Sequence, residues 1–412
     1  MNGLRNVLLG ALLLVPTVLD AGDWPQILGP HRNGKAASDE QLLNEWPASG
    51  PAEVWSRPVG HAFAGVAVAG PRVILFHREG EQEVTECLNA ADGQSVWKQG
   101  HATTFYPQVG GGDGPLCVPV ISGDRVVTFG AQGVLSCFRL ASGERLWMRK
   151  THEDFRALEG YFGAGSSPIV VDGLVIVNVG GGRQEAGVVA FDLQTGETRW
   201  TQTQEPAGYS APVLVAFEDR SYVLMVTRYK CVLLDAETGA IGFEFPFGQR
   251  GPTVNGASPI VIDNAKLFVT ASYGVGAAYA QFSRQHFDML WQRDDVLSAQ
   301  YCTPIYEDGI LYGIDGREDV PPADLKAVEL KTGKRLWIEP SFGYGTLISA
   351  DGKLLIQKTD GDLILGKASP EGFRKLAHHR VLNGEVRALP ALANGRFYVR
   401  NDRVLKCFQV GR

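Results

Sequence analysis

The chain has 412 residues, a formal net charge of −6, 20% charged residues and 50 glycines. So mild an acidity, with no basic run, argues against a nucleic-acid partner. Eight histidines and six cysteines form no HExxH or CxxC spacing, which argues against a zinc site, and no serine sits in a G-x-S-x-G frame.

Residues 1–22 carry one cation, Arg5, then an apolar run from Val7 to Leu19 and Asp20-Ala21-Gly22. That layout predicts a secretory signal cut near Ala21, and hence a periplasmic or extracellular protein. The run is shorter than the ~20 residues of a membrane span. No cysteine follows it for lipid attachment, and no later segment reads as a span.

Residues 23–52 read as a loop-like lead-in, headed by DWPQILGPHRNG and ending in QLLNEWP, which predicts a helical turn. Residues 53–59, EVWSRPV, predict a strand bearing Trp55 with no turn motif before it. The rest repeats. Residues 190–200 read AFDLQTGETRW and residues 327–337 read AVELKTGKRLW, with looser copies at 87–97, 137–147 and 233–243. In these copies Asp192, Asp235 and Glu329 are placed to accept turn hydrogen bonds, and Gly196, Gly239 and Gly333 to supply a positive φ. Trp97, Trp147, Trp200 and Trp337 then open an outer strand, where a flat ring can dock a neighbouring copy.

A second mark, small-small-Pro followed by apolar alternation, recurs near Ser166, Ser210, Ala257, Cys302 and Leu389, with variants near Ala64, Cys117 and Gly345. Eight units of this length with several short strands predict an all-β, eight-bladed β-propeller of four-stranded antiparallel blades in one domain, residues 53–412. The last unit has no outer strand of its own. Trp55 fits that vacancy, so the N-terminal strand is expected to complete the last blade. Blade 5 keeps Trp291 but has His286 and Phe287 where Thr and Gly belong, and blade 7 has no Trp. Cys87, Cys137 and Cys407 fall in the small-residue slot, which predicts unbridged, buried thiols.

These residues resemble the PQQ-like β-propeller repeat family, and the lead-in is similar to that of its exported bacterial members. The resemblance implies the fold; for activity it leaves three readings. The first is an exported, monomeric, non-catalytic scaffold that binds another protein or peptide, with no catalytic or metal residues and no cofactor. The second is a dehydrogenase using PQQ and calcium to oxidise an alcohol or sugar. Such enzymes are expected to carry adjacent cysteines over the quinone, and no two cysteines here are adjacent. The third resembles the propeller subunit of outer-membrane protein assembly, which takes extended peptides by strand addition.

One set of positions has its own logic. The residues three before each inner-strand proline, or their equivalents, form a ring of Ala62, Leu116, Gly165, Tyr209, Gly256, Tyr301, Tyr344 and Arg387. One half is small and the other aromatic and cationic, as a binding site favours. Tyr161, Asn255 and Arg317 join it in motif order, and insertions at residues 100–115 and 315–324 rim it. Glu79, Glu81, Glu83 and Glu86 read as a solvated hairpin tip, and His378-His379 as a surface pair.

Overall fold

The structure, a computed structural model, describes residues 22–218 and 220–412. The expected export signal thus lies, except for Gly22, outside the described residues. Thirty-two strands form eight four-stranded antiparallel sheets, each running in sequence order from channel to rim, with one exception. In the last sheet, Ala391–Ala393, Arg396–Arg400 and Val404–Gln409 are completed by Ala52–Pro58 at the outer edge. Trp55 stands opposite Cys407, so the N-terminal strand closes the ring as the sequence implied.

Each blade repeats one register. A small or apolar residue of the third strand faces the tryptophan of the fourth in the six blades that have one, as in Cys87 with Trp97, Ala190 with Trp200 and Ala327 with Trp337, and a bulge follows at once. The bulge turns the indole out of its own blade. Its N–H then donates to a carbonyl in the next blade: Trp55 to Ala90, Trp97 to Leu140, Trp147 to Leu193, Trp200 to Ala236, Trp291 to Leu330 and Trp337 to Ser369, all at 2.7–3.0 Å. The turn beneath is built locally. Asp192 Oδ1 accepts from the Gln194 and Thr195 amides, and Asp235 Oδ1 from those of Glu237 and Thr238. At Glu329 the longer side chain instead reaches the Thr332 hydroxyl.

Two seams lack a tryptophan. Between blades 4 and 5, Phe243 and Phe245 meet Phe287 with ring centroids 4.9 and 4.6 Å apart. In blade 5 the partner of Trp291 is Tyr279, so this hairpin is two residues longer than the repeat, which places Phe287 where the turn pair was expected. In blade 7 the tryptophan position holds Ala377, and Trp46 of the lead-in joins its apolar cluster.

The lead-in is not an appendage, and residues 41–47 form no helical turn. Leu42 bridges to Gly411 and the Leu43 amide donates to Val410, because inter-segment partners claim the groups a helix would use. Upstream, Trp24 bridges to Val68 of blade 1 and the chain then enters the channel. There Leu28 packs with Val118, Ala211 and Leu389 of blades 2, 4 and 8. Arg32, 2% exposed, donates to the carbonyls of Pro168 at 2.8 Å and Ser167 at 3.1 Å in blade 3. Burial pulls this guanidinium down to about 9.

The second and third strands of a blade are covered on both faces by neighbours, so their polar residues are buried as well. This corrects the solvated reading of the glutamates: Glu83 and Glu86 are each 1% exposed. Glu83 accepts from the Ala131 amide at 2.9 Å and faces His101 at 3.0 Å. Glu86 lies on the ring-closing seam, 3.0 Å from Arg57 and 3.5 Å from His77 Nε2. Burial alone would raise its carboxyl, but the contacts with His77, Ser95 and Arg57 hold it at about 2. All six thiols are buried and unbridged.

Two predictions follow from this packing. A Cβ on Gly196, at φ +73°, would meet Trp147 at 2.7 Å, whereas one on Gly309, at φ +87°, meets nothing within 4 Å. Both substitutions to Ala cost about 1–3 kcal/mol of backbone strain. Gly196→Ala should cost more in denaturant unfolding, and equal losses would remove the clamp from the account.

The second concerns acid. Desolvation lowers His152 from 6.5 to about 4, and His77 is lowered by burial too. A folded pKa below the unfolded one means stability is fully present above pH 6.5 and is lost as the pH falls toward 4, by at most about 3 kcal/mol for His152. His152→Leu should therefore flatten the change in urea midpoint between pH 7.5 and pH 5. An unchanged slope would show that His152 does not carry it.

Candidate functional site at the channel mouth

Inner strands begin and outer strands end at one face, so the loops between blades gather there. Inner-strand entry is stitched across blades by the small residues before the prolines. Ser166 Oγ donates to the Ser210 carbonyl at 2.7 Å, while Ser167 and Thr303 hydroxyls accept from the amides of Val118 and Ser258 at 2.9 Å. These bonds fix the ring from which the mouth residues project.

A cavity of about 460 Å³ occupies the mouth, with Ile27 of the lead-in on its lining. Behind it the lead-in crosses the channel, with Leu28 packed on blades 2, 4 and 8 and Arg32 bonded to blade 3. The cavity wall is divided. Phe63, Val109, Leu116, Phe162, Tyr209 and Val254 form an apolar part, while Tyr273, Gln300, Tyr301, Arg317, Glu318, Asp319 and Arg387 form a polar one.

The polar part is a closed network. Arg387 pairs with Glu318 at 2.8 Å and with Glu385 at 2.8 Å, and its guanidinium lies 5.1 Å from the Phe63 ring centroid. The Tyr301 hydroxyl donates to Glu318 Oε2 at 3.1 Å, and burial raises its pKa well above 10, so the phenol stays neutral. Arg317 Nε donates to Asp319 at 3.0 Å, and the guanidinium stacks 4.2 Å from the centroid of Tyr273. Gln300 joins the two clusters, donating to the Tyr273 hydroxyl at 2.7 Å and accepting from the Glu318 amide at 2.9 Å.

Of the ring positions, Leu116, Gly165, Tyr209, Gly256, Tyr301 and Arg387 line this cavity, and so does Arg317. Phe63, next to Ala62, lines it in that residue's place. Tyr344 sits beneath, 5% exposed, its oxygen accepting from the Tyr301 and Cys302 amides at 2.8 and 3.0 Å. It fixes the Tyr301 backbone. Asn255 is 3% exposed, and neither of its amide atoms is paired among the described residues, between Val254 and Gly256 of the lining. Tyr161 lines a neighbouring trough instead. Tyr209 lines both, its oxygen accepting from the Phe162 amide at 3.3 Å.

Glu318 and Asp319 were legible only as part of the insertion at 315–324. Phe63, Phe162, Tyr273 and Gln300 had no signal, since each is a single residue in a loop without a motif. The mouth glycines Gly110–Gly112 belong to the other insertion.

One group of potential metal donors, His77, Glu79 and Glu86, lies on the ring-closing seam. The Gly60 amide donates to His77 Nδ1 at 2.8 Å, so the neutral ring bears its proton on Nε2, toward Glu86. A metal would need the lone pair where that proton sits. Lys98 holds Glu79 at 2.6 Å and Arg57 holds Glu86, so the group is an ion-pair network. His378 contacts Asp362 at 2.9 Å, and His379 packs over Gly50.

No helix among the described residues is long and apolar enough to cross a membrane. No curated protein matches the chain. Among solved structures, BamB from Moraxella catarrhalis is similar at 17% identity over 87% of this chain and 99% of that one, with a TM-score of 0.63. The quinohemoprotein alcohol dehydrogenase from Comamonas testosteroni is similar at 14% identity over 95% and 81%, with a TM-score of 0.68. A computationally designed protein, Ika8, is similar at 14% identity over 87% and 100%, with a TM-score of 0.59. Likeness at these identities shows the fold alone. The model of the PQQ-like repeat family described as "Outer membrane protein assembly factor BamB" matches residues 80–339, more than half of the chain, and the chain belongs to that family.

Proposed function

We propose that the protein is an exported, monomeric, non-catalytic scaffold that binds another protein or a peptide on the channel-mouth face, with no nucleic-acid partner. The observation that carries this reading is the mouth cavity, aromatic on one side and bearing internally paired charges on the other. Such a pocket desolvates an apolar or aromatic anchor at low cost, while the stacked Arg317 and Arg387 supply a polar rim. Tyr106, Val109, Leu158 and Val320 are large apolar residues exposed on loops of the same face, which supports a macromolecular partner.

The donor set argues against calcium with a quinone in this cavity. Glu318 and Asp319 are its lining carboxylates, and each already neutralises a guanidinium. A dication would have to displace Arg387 or Arg317 from its partner and then share the cavity with that cation.

The test has two arms. Partners retained by the wild-type protein should bind Tyr301→Ala/Arg387→Ala at least roughly tenfold more weakly, about 1.4 kcal/mol. Equal retention by a variant with an unchanged melting curve overturns the mouth as the binding site. Calorimetric titration with PQQ in calcium buffer should give no saturable heat. Tight binding with reduction of an acceptor dye by an alcohol or sugar would make the protein an enzyme.

A further inference from the structure

Across Tyr209 from the mouth cavity lies a second concavity, a trough of about 570 Å³ on the same face. It is bounded by the loop entering blade 3, by residues 180–183 between that blade's second and third strands, by the loop leaving the blade, and by Arg228 and Tyr229 of blade 4. Three arginines, Arg156, Arg183 and Arg228, line it against one carboxylate, Glu159. The wall is therefore cationic in a chain whose formal charge is −6.

Ordinary pairing does not explain these cations. None of the three forms an ion pair among the described residues. Arg228 is 7% exposed and is fixed by the carbonyls of Thr253, at 2.7 Å, and Gly251. The guanidiniums of Arg156 and Arg183 have no hydrogen-bond partner among the described residues. The acids nearby are engaged elsewhere. Glu159 accepts from Gln132 at 2.6 Å, Glu185 from Gln204 at 3.1 Å, and Glu205 from the Tyr229 amide at 3.2 Å.

The rest of the lining sets the shape of an occupant. Leu158 and Tyr161 are exposed on the lining, which Pro206 and Ala207 share. Gly180 and Gly182 leave bare backbone between them: a Cβ on either would meet the 204–207 backbone at 2.5 Å or less. Glycine at these two positions lets the 180–182 and 204–207 backbones pack this closely along the trough. We propose that the trough is a carboxylate-binding site, in which Arg156 and Arg183 close on the anion beside the fixed Arg228 and an aromatic or branched apolar body rests between Tyr161 and Pro206. Guanidiniums recognise a carboxylate through paired N–H donors, and two exposed ones give a modest, salt-sensitive affinity. The same chemistry is offered by a free organic acid and by the C-terminal residue of a polypeptide.

Three probes separate these cases by calorimetric titration of the intact protein: 3-phenylpropanoate, N-acetyl-phenylalanine and N-acetyl-phenylalaninamide. At least one acid should bind saturably and weaken with added salt, and the amide should bind at least roughly tenfold more weakly than its acid. Binding of both acids assigns the site to free carboxylates, and binding of N-acetyl-phenylalanine alone assigns it to a chain terminus. Arg156→Gln/Arg183→Gln, two exposed positions whose change should leave the melting curve intact, should lose roughly tenfold in affinity. The proposal is overturned if the amide matches its acid, if the double variant binds as the wild type does, or if neither acid saturates below about 10 mM.

Discussion

The structure depends on one contact made over and over: an indole laid across the turn glycine of the next blade, with its N–H on a carbonyl of that turn. The contact joins two demands on one residue. Gly196 must adopt φ +73°, and it must present no Cβ because Trp147 would lie 2.7 Å from it. A left-handed Asn would meet the first demand and violate the second. The Thr-Gly pair and the closing Trp are thus two halves of a joint that assembles only between blades, which is why a single unit could not keep its fold.

Closing a ring of eight blades, six of whose seams carry an indole, leaves a channel too wide for the inner strands to fill. The lead-in fills it. Its polar backbone has to find partners inside, and it does so blade by blade, at Val68, Ile121 and Ser349. Arg32 is the costliest element of that solution, a buried cation answered by neutral acceptors, Gln26 and two carbonyls. Carbonyl dipoles aimed at one guanidinium offset part of its desolvation without adding a buried carboxylate. The ring-closing seam shows the opposite solution, with Arg57, Glu86 and His77 satisfying one another.

The legibility of the sequence follows from this division. The blade joints were readable because they rest on local chemistry at fixed offsets: Asp192, Gly196 and Trp200 sit within nine residues and mean the same thing in every copy. The closure by Trp55 was readable as a motif half without its other half. The solvated reading of Glu83 and Glu86 failed because period-two alternation presumes one wet face, and a strand between two blades has none. The lead-in failed likewise, since a segment whose partners are spread over seven blades has no local signature. At the mouth, ring positions counted from the prolines led to Tyr209, Tyr301 and Arg387, but the partners that define them, Glu318 and Phe63, come from loops of unrelated spacing.

This separation also explains how one scaffold can carry unrelated sites. The turn glycines and their indoles lie at the ends of the blades opposite the mouth, so loops at the mouth can lengthen or change charge without touching a joint. Residues 316–323 do so in blade 6, and their arrival converts a plain channel entrance into a cavity with its own ion pairs. Residues 152–164 do so between blades 2 and 3, and with Arg156 they form one wall of the trough beside it. Tyr209 stands between the two spaces, held by the Phe162 amide and packed on the Phe162 ring at 5.8 Å. Its ring is thus a wall common to the mouth and the trough, set by the Phe162 contacts and not by a blade joint.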